Sequence, residues 1–202
     1  MVDLINSFAR RVPVWAIWLI CLLPVPVLLY QGVTGGLGRE PISALEHELG
    51  ELALKLLIIG LCITPMRRFL KINLLRFRRA IGLLSFTYVV LHLLVWAVLD
   101  VQIVSQIWTD ILKRPYITVG MGSLLLLLPL AVTSNQRLIR RMGASAWQKL
   151  HMLVYPAVFL GGIHFVMVQK VWELESLIYV TVIAALISLR FRWRRQATRT
   201  LA

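Results

Sequence analysis

The sequence predicts an all-α membrane protein, a bundle of six transmembrane helices with both termini cytoplasmic. Three observations predict it. Hydrophobic residues make up 59% of the 202 positions and charged residues only 15%, against about a quarter charged in a soluble domain, and the mean hydropathy is +0.79. Six apolar runs, separated by clusters of charge, approach the roughly 20 residues that cross a hydrocarbon core as a helix. The basic residues gather on alternate connections, which sets the orientation.

The runs cover approximately residues 12–30, 49–65, 80–99, 116–133, 150–168 and 174–190. Pro13, Pro24 and Pro26 make the first helix irregular, which a bundle tolerates when neighbours satisfy the freed carbonyls. The sixth is the weakest, since its purely apolar part begins near Leu177 and Arg190 must snorkel at its end, with Trp172 and Trp193 as interfacial anchors. Arg10 and Arg11 precede the first run as in a signal peptide, but the run is longer than a signal core and no small-residue cleavage site follows, so it is expected to be retained. Short connections without repeats or low-complexity tracts predict one domain over residues 1–202.

With both termini inside, 17 of the 22 Lys and Arg fall on the cytoplasmic side, while eight acids, from Glu40 to Glu175, lie at or near the outer side. A net charge of +13 would suggest nucleic acid in a soluble chain; here the lipid bilayer takes the basic charge, and no nucleic-acid partner is expected. Cys21 and Cys62 sit inside apolar runs and form no metal spacing. No GxGxxG phosphate loop exists, and GGLG at 35–38 reads as a turn.

Ionisable groups within a bilayer are costly and mark functional positions. His92 lies deep in the third run, His151 at the cytoplasmic entrance of the fifth, His164 in its outer half, and His47 just outside the second. The third and fifth helices run in the same direction. His92 stands 13 residues beyond Arg79 and His164 stands 15 beyond Lys149, so at about 1.5 Å per residue the two imidazoles share one level. Neutral imidazoles from facing helices are haem-iron ligands, and His92 with His164 are the expected pair, against the plainer reading of interhelical hydrogen bonds. Gly82, Gly161 and Gly162 are positions where a macrocycle could approach, or where helices simply pack. His151, 13 residues below His164, sits about 20 Å lower and cannot serve the same iron.

His47, Glu51 and Lys55 form one polar stripe on the second helix. Glu51 and Lys55 either pair, or Lys55 contacts a haem propionate while His47 lies on an outer-face electron path. Arg78 and Arg79 are candidate propionate or donor contacts, with anionic lipid as the alternative. Three classes of function stand: a membrane cytochrome, a small membrane transporter, and a non-redox membrane anchor for a partner protein. Inverted repeats and midplane acids, the usual marks of a transporter, are not visible.

The string WQKLHMLVY at 147–155, a second His 13 residues on and a lone His on an earlier parallel helix resemble the ferric-reductase-like transmembrane domain superfamily. More narrowly, the chain resembles the haem-binding membrane subunits of the bacterial periplasmic methionine-sulfoxide reductase system, through GGLGREP at 35–41, LEHELGELALKLLIIGLCITP at 45–65, RFRRAIGLLSFTYVVLH at 76–92, RPYITVG at 114–120, WQKLH and IHF. The resemblance implies a ferric-reductase-like haem domain in the bacterial inner membrane. It would pass electrons from the quinone pool or a cytoplasmic flavin reductase to a periplasmic molybdopterin methionine-sulfoxide reductase that repairs oxidised proteins. The chain would then be the electron-transfer subunit of an oxidoreductase system rather than a stand-alone enzyme. It also implies haem b, one or two, with FMN as a further cofactor. His92, His151 and His164 match three of four superfamily haem histidines; the fourth position, near 78, holds Arg78, which leaves His151 with a different partner or at a quinone or flavin site.

Overall fold

The computed structural model describes residues 1–169 and 174–199, the side chains of 192–199 excepted. Lys170, Trp172, Glu173 and the side chain of Trp193 lie outside the described residues. Among the described residues six helical segments are long and apolar enough to cross a membrane: Val14–Thr34, Pro41–Phe69, Leu75–Val101, Pro115–Val132, Ala144–Val168 and Leu174–Phe191. The protein is a multi-pass, all-helical membrane bundle. The second segment begins eight residues earlier than residue 49, so His47 lies inside a helix rather than just beyond its end.

Proline and local packing explain the departures from straight helices. The first span is broken at Leu23 into α2 (Val14–Leu22) and α3 (Pro24–Thr34), because Pro24 and Pro26 lack the amide protons that would continue the ladder. The Tyr88 hydroxyl donates to the Cys21 carbonyl at the break, at 2.6 Å. The second span is α4 (Pro41–Phe69), opened by Pro41 in its first turn, where a missing amide proton costs nothing. The third is α5 (Arg78–Leu94), which continues as a π-helical segment, Val95–Val101, and stops at Gln102 with φ +61°. The fourth is α7 (Pro115–Val132). The fifth combines α9 (Ala144–Leu150), a 3-10 turn at His151–Leu153 and α10 (Val154–Val168), and the sixth is α11 (Leu174–Arg199). A short helix, α8 (Gln136–Met142), capped by the Asn135 side chain, joins the fourth and fifth.

The most extensively packed helix pairs are α4 with α5 and α7 with α10. One buried cluster fills the space between α3, α4 and α5, with Leu28, Leu49, Ala53, Leu84 and Tyr88. A second joins α4 to α7, α10 and α11 through Leu54, Leu57, Leu127, Val158 and Ile183. Helix α4 contributes opposite faces to both and is therefore the centre of the bundle. Small residues set the closest approaches: a Cβ on Gly162 would lie 2.9 Å from Ile183 Cδ1, whereas one on Gly82 would meet nothing within 4 Å. Gly162 serves α10–α11 packing and Gly82 faces outward, and neither lines the cavity described below. Trp15, Leu19 and Leu125 are among many exposed apolar side chains, as befits a surface whose solvent is lipid.

Two amphipathic helices lie outside the spans and are not evident in the apolar runs. Helix α1 (Val2–Arg11) is tied to the α4–α5 connection. Asn6 donates to the Lys71 carbonyl at 3.0 Å and accepts from the Asn73 amide at 2.8 Å, while Arg76 donates to the carbonyls of Ala9 and Arg10. Helix α6 (Val104–Lys113) follows the third span, with Val104, Trp108 and Leu112 exposed along one stripe and Asp110 buried beneath and paired with Arg114 at 3.3 Å. Each has the split surface of a helix that lies along a membrane interface.

Tyr88 is 1% exposed and its hydroxyl serves the broken first span. Tyr88→Phe leaves that carbonyl without its partner and is expected to cost about 1–2 kcal/mol. A thermal unfolding midpoint lowered by a few degrees in detergent checks this; an unchanged midpoint refutes it.

Candidate cofactor site between two histidines

His92 projects from α5 and His164 from α10, with ring centroids 6.1 Å apart and ring planes at 75° to each other. Each is held from behind by a backbone carbonyl of the partner helix. Nδ1 of His92 lies 2.8 Å from the Glu46 carbonyl on α4, and Nδ1 of His164 lies 2.8 Å from the Tyr116 carbonyl on α7. A carbonyl only accepts, so each Nδ1 carries the proton and each neutral ring keeps its lone pair on Nε2.

Both rings stand in the wall of a cavity of about 320 Å³, a size at which pockets hold cofactors. Leu54, Leu57, Val89 and Leu124 give it apolar walls, while Glu46, His47, Asp100, Arg114 and Gln169 also line it. Glycines at 50, 120 and 161 form part of the wall. A Cβ on Gly50 would lie 3.0 Å from Nδ1 of His92, and one on Gly120 would lie 2.9 Å from Nδ1 of His164.

Bond lengths test what such a pair fits. A metal–imidazole bond of about 2.0–2.1 Å, with the ring centroid about 1.2 Å behind the nitrogen, puts two trans imidazole centroids about 6.4 Å apart. The observed 6.1 Å agrees. Among the described residues no group of three or more His, Cys, Asp or Glu is placed to hold a metal ion. Two imidazoles are the axial set of a low-spin haem.

The other expected site residues fall into separate places. His47 lies in the cavity wall against the Phe165 ring, with its Nε2 3.3 Å from the Gln169 amide nitrogen. Lys55 is paired with Glu51 at 2.5 Å, and the Tyr179 hydroxyl lies within hydrogen-bond distance of both Glu51 and Glu175, at 3.1 and 2.9 Å. Of the two readings of the polar stripe, Lys55 follows the ion pair. Arg78 and Arg79 begin α5, 14 and 13 residues from His92, hence about 20 Å from it. Arg78 lines a separate small crevice with Thr64, Tyr155 and Arg190. His151 is off the cavity; its Nδ1 is 3.1 Å from the Trp147 carbonyl and its ring stacks on Trp147 at 3.9 Å.

Arg114 is the cationic group of the cavity wall that the sequence reading did not single out. The Tyr116 hydroxyl at 3.2 Å and Asp110 hold its guanidinium, the hydrogen bond and the nearby charges pushing its pKa further up. Its signal was present in RPYITVG, but nothing in the string says that the arginine turns toward the histidines.

The model of the ferric reductase like transmembrane component matches residues 49–162. The chain belongs to that family. The match includes His92 and His151 and ends two residues before His164. Proteins described as protein-methionine-sulfoxide reductase heme-binding subunit MsrQ are similar over most of their length. That of Caulobacter vibrioides is 46% identical over 91% of this chain and 89% of its own. That of Rhizobium meliloti is 45% identical over 92% and 88%, and that of Brucella melitensis is 46% identical over 86% and 80%. These identities place the ferric-reductase-like chain in the branch of those subunits. No solved structure matches the chain significantly.

The Glu51–Lys55 pair allows a direct check. Lys55→Met leaves a carboxylate unpaired within a span and is expected to lower membrane accumulation several-fold, whereas Glu51→Gln with Lys55→Met is expected to recover much of the loss. A double variant no better than the single one would show that the pair contributes nothing.

Proposed function

We propose that the chain is a membrane b-type cytochrome of the bacterial inner membrane, with haem b held between His92 and His164. It delivers electrons to a periplasmic molybdopterin methionine-sulfoxide reductase that repairs oxidised proteins. The observation that carries the reading is the imidazole pair, each ring with Nε2 free, facing one cavity at a separation that suits a single iron. The relatives' printed names support the haem and the reductase partner.

When bound, the haem supplies a one-electron couple. The Glu46 and Tyr116 carbonyls keep both rings in the tautomer that ligates and raise their basicity. Leu54, Leu57, Val89 and Leu124 give the cavity apolar walls that disfavour water beside the bound group. Arg114 presents a fixed cation at the cavity wall and is the arginine best suited to a haem carboxylate, ahead of Lys55, already paired, and of Arg78 and Arg79, at the far end of α5.

The excess of Lys and Arg on alternate connections supports cytoplasmic termini, which puts the histidine pair in the periplasmic half. His151 and Arg78 then belong to the donor side, facing the quinone pool or a cytoplasmic flavin reductase. With its Nδ1 committed to Trp147, His151 has Nε2 to offer a second haem, a quinone or FMN there.

His92→Ala and His164→Ala are each expected to abolish the reduced-minus-oxidised spectrum of a low-spin b haem without loss of membrane insertion; a normal spectrum in both defeats the ligand assignment. His151→Ala is expected to retain that spectrum and its chemical reduction by dithionite while donor-driven reduction falls. In liposomes with donor and acceptor on opposite sides, only acceptor at the outer face is expected to be reduced. Equal reduction from the basic face would overturn the direction.

A further inference from the structure

We propose that Gly50 and Gly120 are positioning residues, whose missing side chains let each histidine reach a helix carbonyl that already has a partner. The inference rests on the haem reading above and concerns residues to which that reading gives no role.

In an α-helix the carbonyl of residue i accepts from the amide of residue i+4. Gly50 is four residues beyond Glu46 in α4, and Gly120 four beyond Tyr116 in α7. Each imidazole therefore makes a second hydrogen bond to a carbonyl in use, through its remaining lone pair. A side chain at i+4 would stand in the approach. At Gly50 the three atoms nearest an added Cβ all belong to the His92 ring, from 3.0 Å; at Gly120 all three belong to the His164 ring, from 2.9 Å. A side chain also reaches a helix carbonyl in use at Ala157, but with ordinary clearance from the glycine four residues on. The Ser123 hydroxyl donates to the Ala157 carbonyl at 2.8 Å, and a Cβ added to Gly161, four residues beyond Ala157, would lie 3.5 Å from Oγ, an ordinary contact that a small hydroxyl tolerates where an imidazole ring does not.

Of the other helix glycines, Gly162 is crowded by Ile183 rather than by a histidine, and three more provide the contrast. An added Cβ would come no closer than 3.8 Å to any neighbour at Gly60 and 3.6 Å at Gly122, and would meet nothing within 4 Å at Gly82. Glycine in a helix interior costs about 1 kcal/mol relative to alanine, so two glycines whose added methyl groups would strike only imidazole atoms at closest range are explained by the imidazoles. A methyl at either place pushes the ring from its carbonyl, weakens the Nδ1–H···O=C bond and lowers the basicity of Nε2. Second-sphere losses of this kind cost about 10- to 100-fold in metal affinity.

The test uses the full-length protein purified with haem in detergent, as Gly50→Ala, Gly120→Ala and Gly82→Ala. The first two are expected to raise the haem midpoint potential and to release haem to excess apomyoglobin about tenfold faster or more, with Gly82→Ala matching the unsubstituted protein. Unchanged potential and retention in both Gly50→Ala and Gly120→Ala overturn the proposal and leave the ligand assignment intact, since that fails only if His92→Ala and His164→Ala keep the spectrum. Should Gly50→Ala not accumulate, Gly50→Ala with His92→Ala decides. Recovery to the level of His92→Ala alone shows that the methyl group strikes the imidazole, and no recovery overturns the proposal.

Discussion

A ring N–H buried among membrane helices must find a protein acceptor, and this bundle is arranged around two such bonds. His92 and His164 could have turned toward each other or toward a side chain. Instead each donates to a main-chain carbonyl, of Glu46 and of Tyr116. That choice commits α4 to lie against α5 and α7 against α10, the two most extensively packed helix pairs. It leaves both Nε2 atoms for the space between the pairs, so one constraint sets the helix neighbours and the orientation of both rings together.

The same accounting governs the other polar groups of the spans. Tyr88 serves the carbonyl at the proline break, Ser123 crosses from α7 to α10, and Lys55, Glu51 and Tyr179 satisfy one another between α4 and α11. Apolar packing is weakly directional among helices solvated by lipid. These bonds therefore carry much of the information about which helix lies beside which, while clusters such as Leu49, Ala53 and Leu84 fill the space they define.

The two ends of the bundle differ in their polar groups. The cavity wall joins Glu46, Asp100 and Arg114 to the histidine pair, and the π-helical segment just beyond His92 contains both Trp96 and Asp100, which line it. At the other end Arg76 ties α1 to the bundle and Arg78 stands with Tyr155 and Arg190 around a second, small crevice. An amphipathic helix accompanies each end, α1 beside the basic connection and α6 after the third span, and gives the bundle a surface along either interface.

The six spans, the irregular first helix and the shared level of His92 and His164 were legible in the sequence, because apolar length, proline and a rise of about 1.5 Å per residue are properties of a single chain segment. The helical start of α4 before His47 and the existence of α1 and α6 were not, since a search for long apolar runs passes over helices that are apolar on one face only. Among the glycines, Gly161 does line the cavity, while Gly82 faces outward, Gly162 packs on α11, and Gly50 and Gly120, not singled out, lie against the histidines. Nor could EHELG and YITVG announce that their first and last residues cooperate around an imidazole from another helix. Which carbonyl a ring reaches, whether Lys55 turns to Glu51, and that Arg114 rather than Arg78 joins the pair at the cavity depend on the rotation and approach of neighbouring helices. Those are settled only when all the polar groups are satisfied at once, which is a property of the packed bundle and of no single segment.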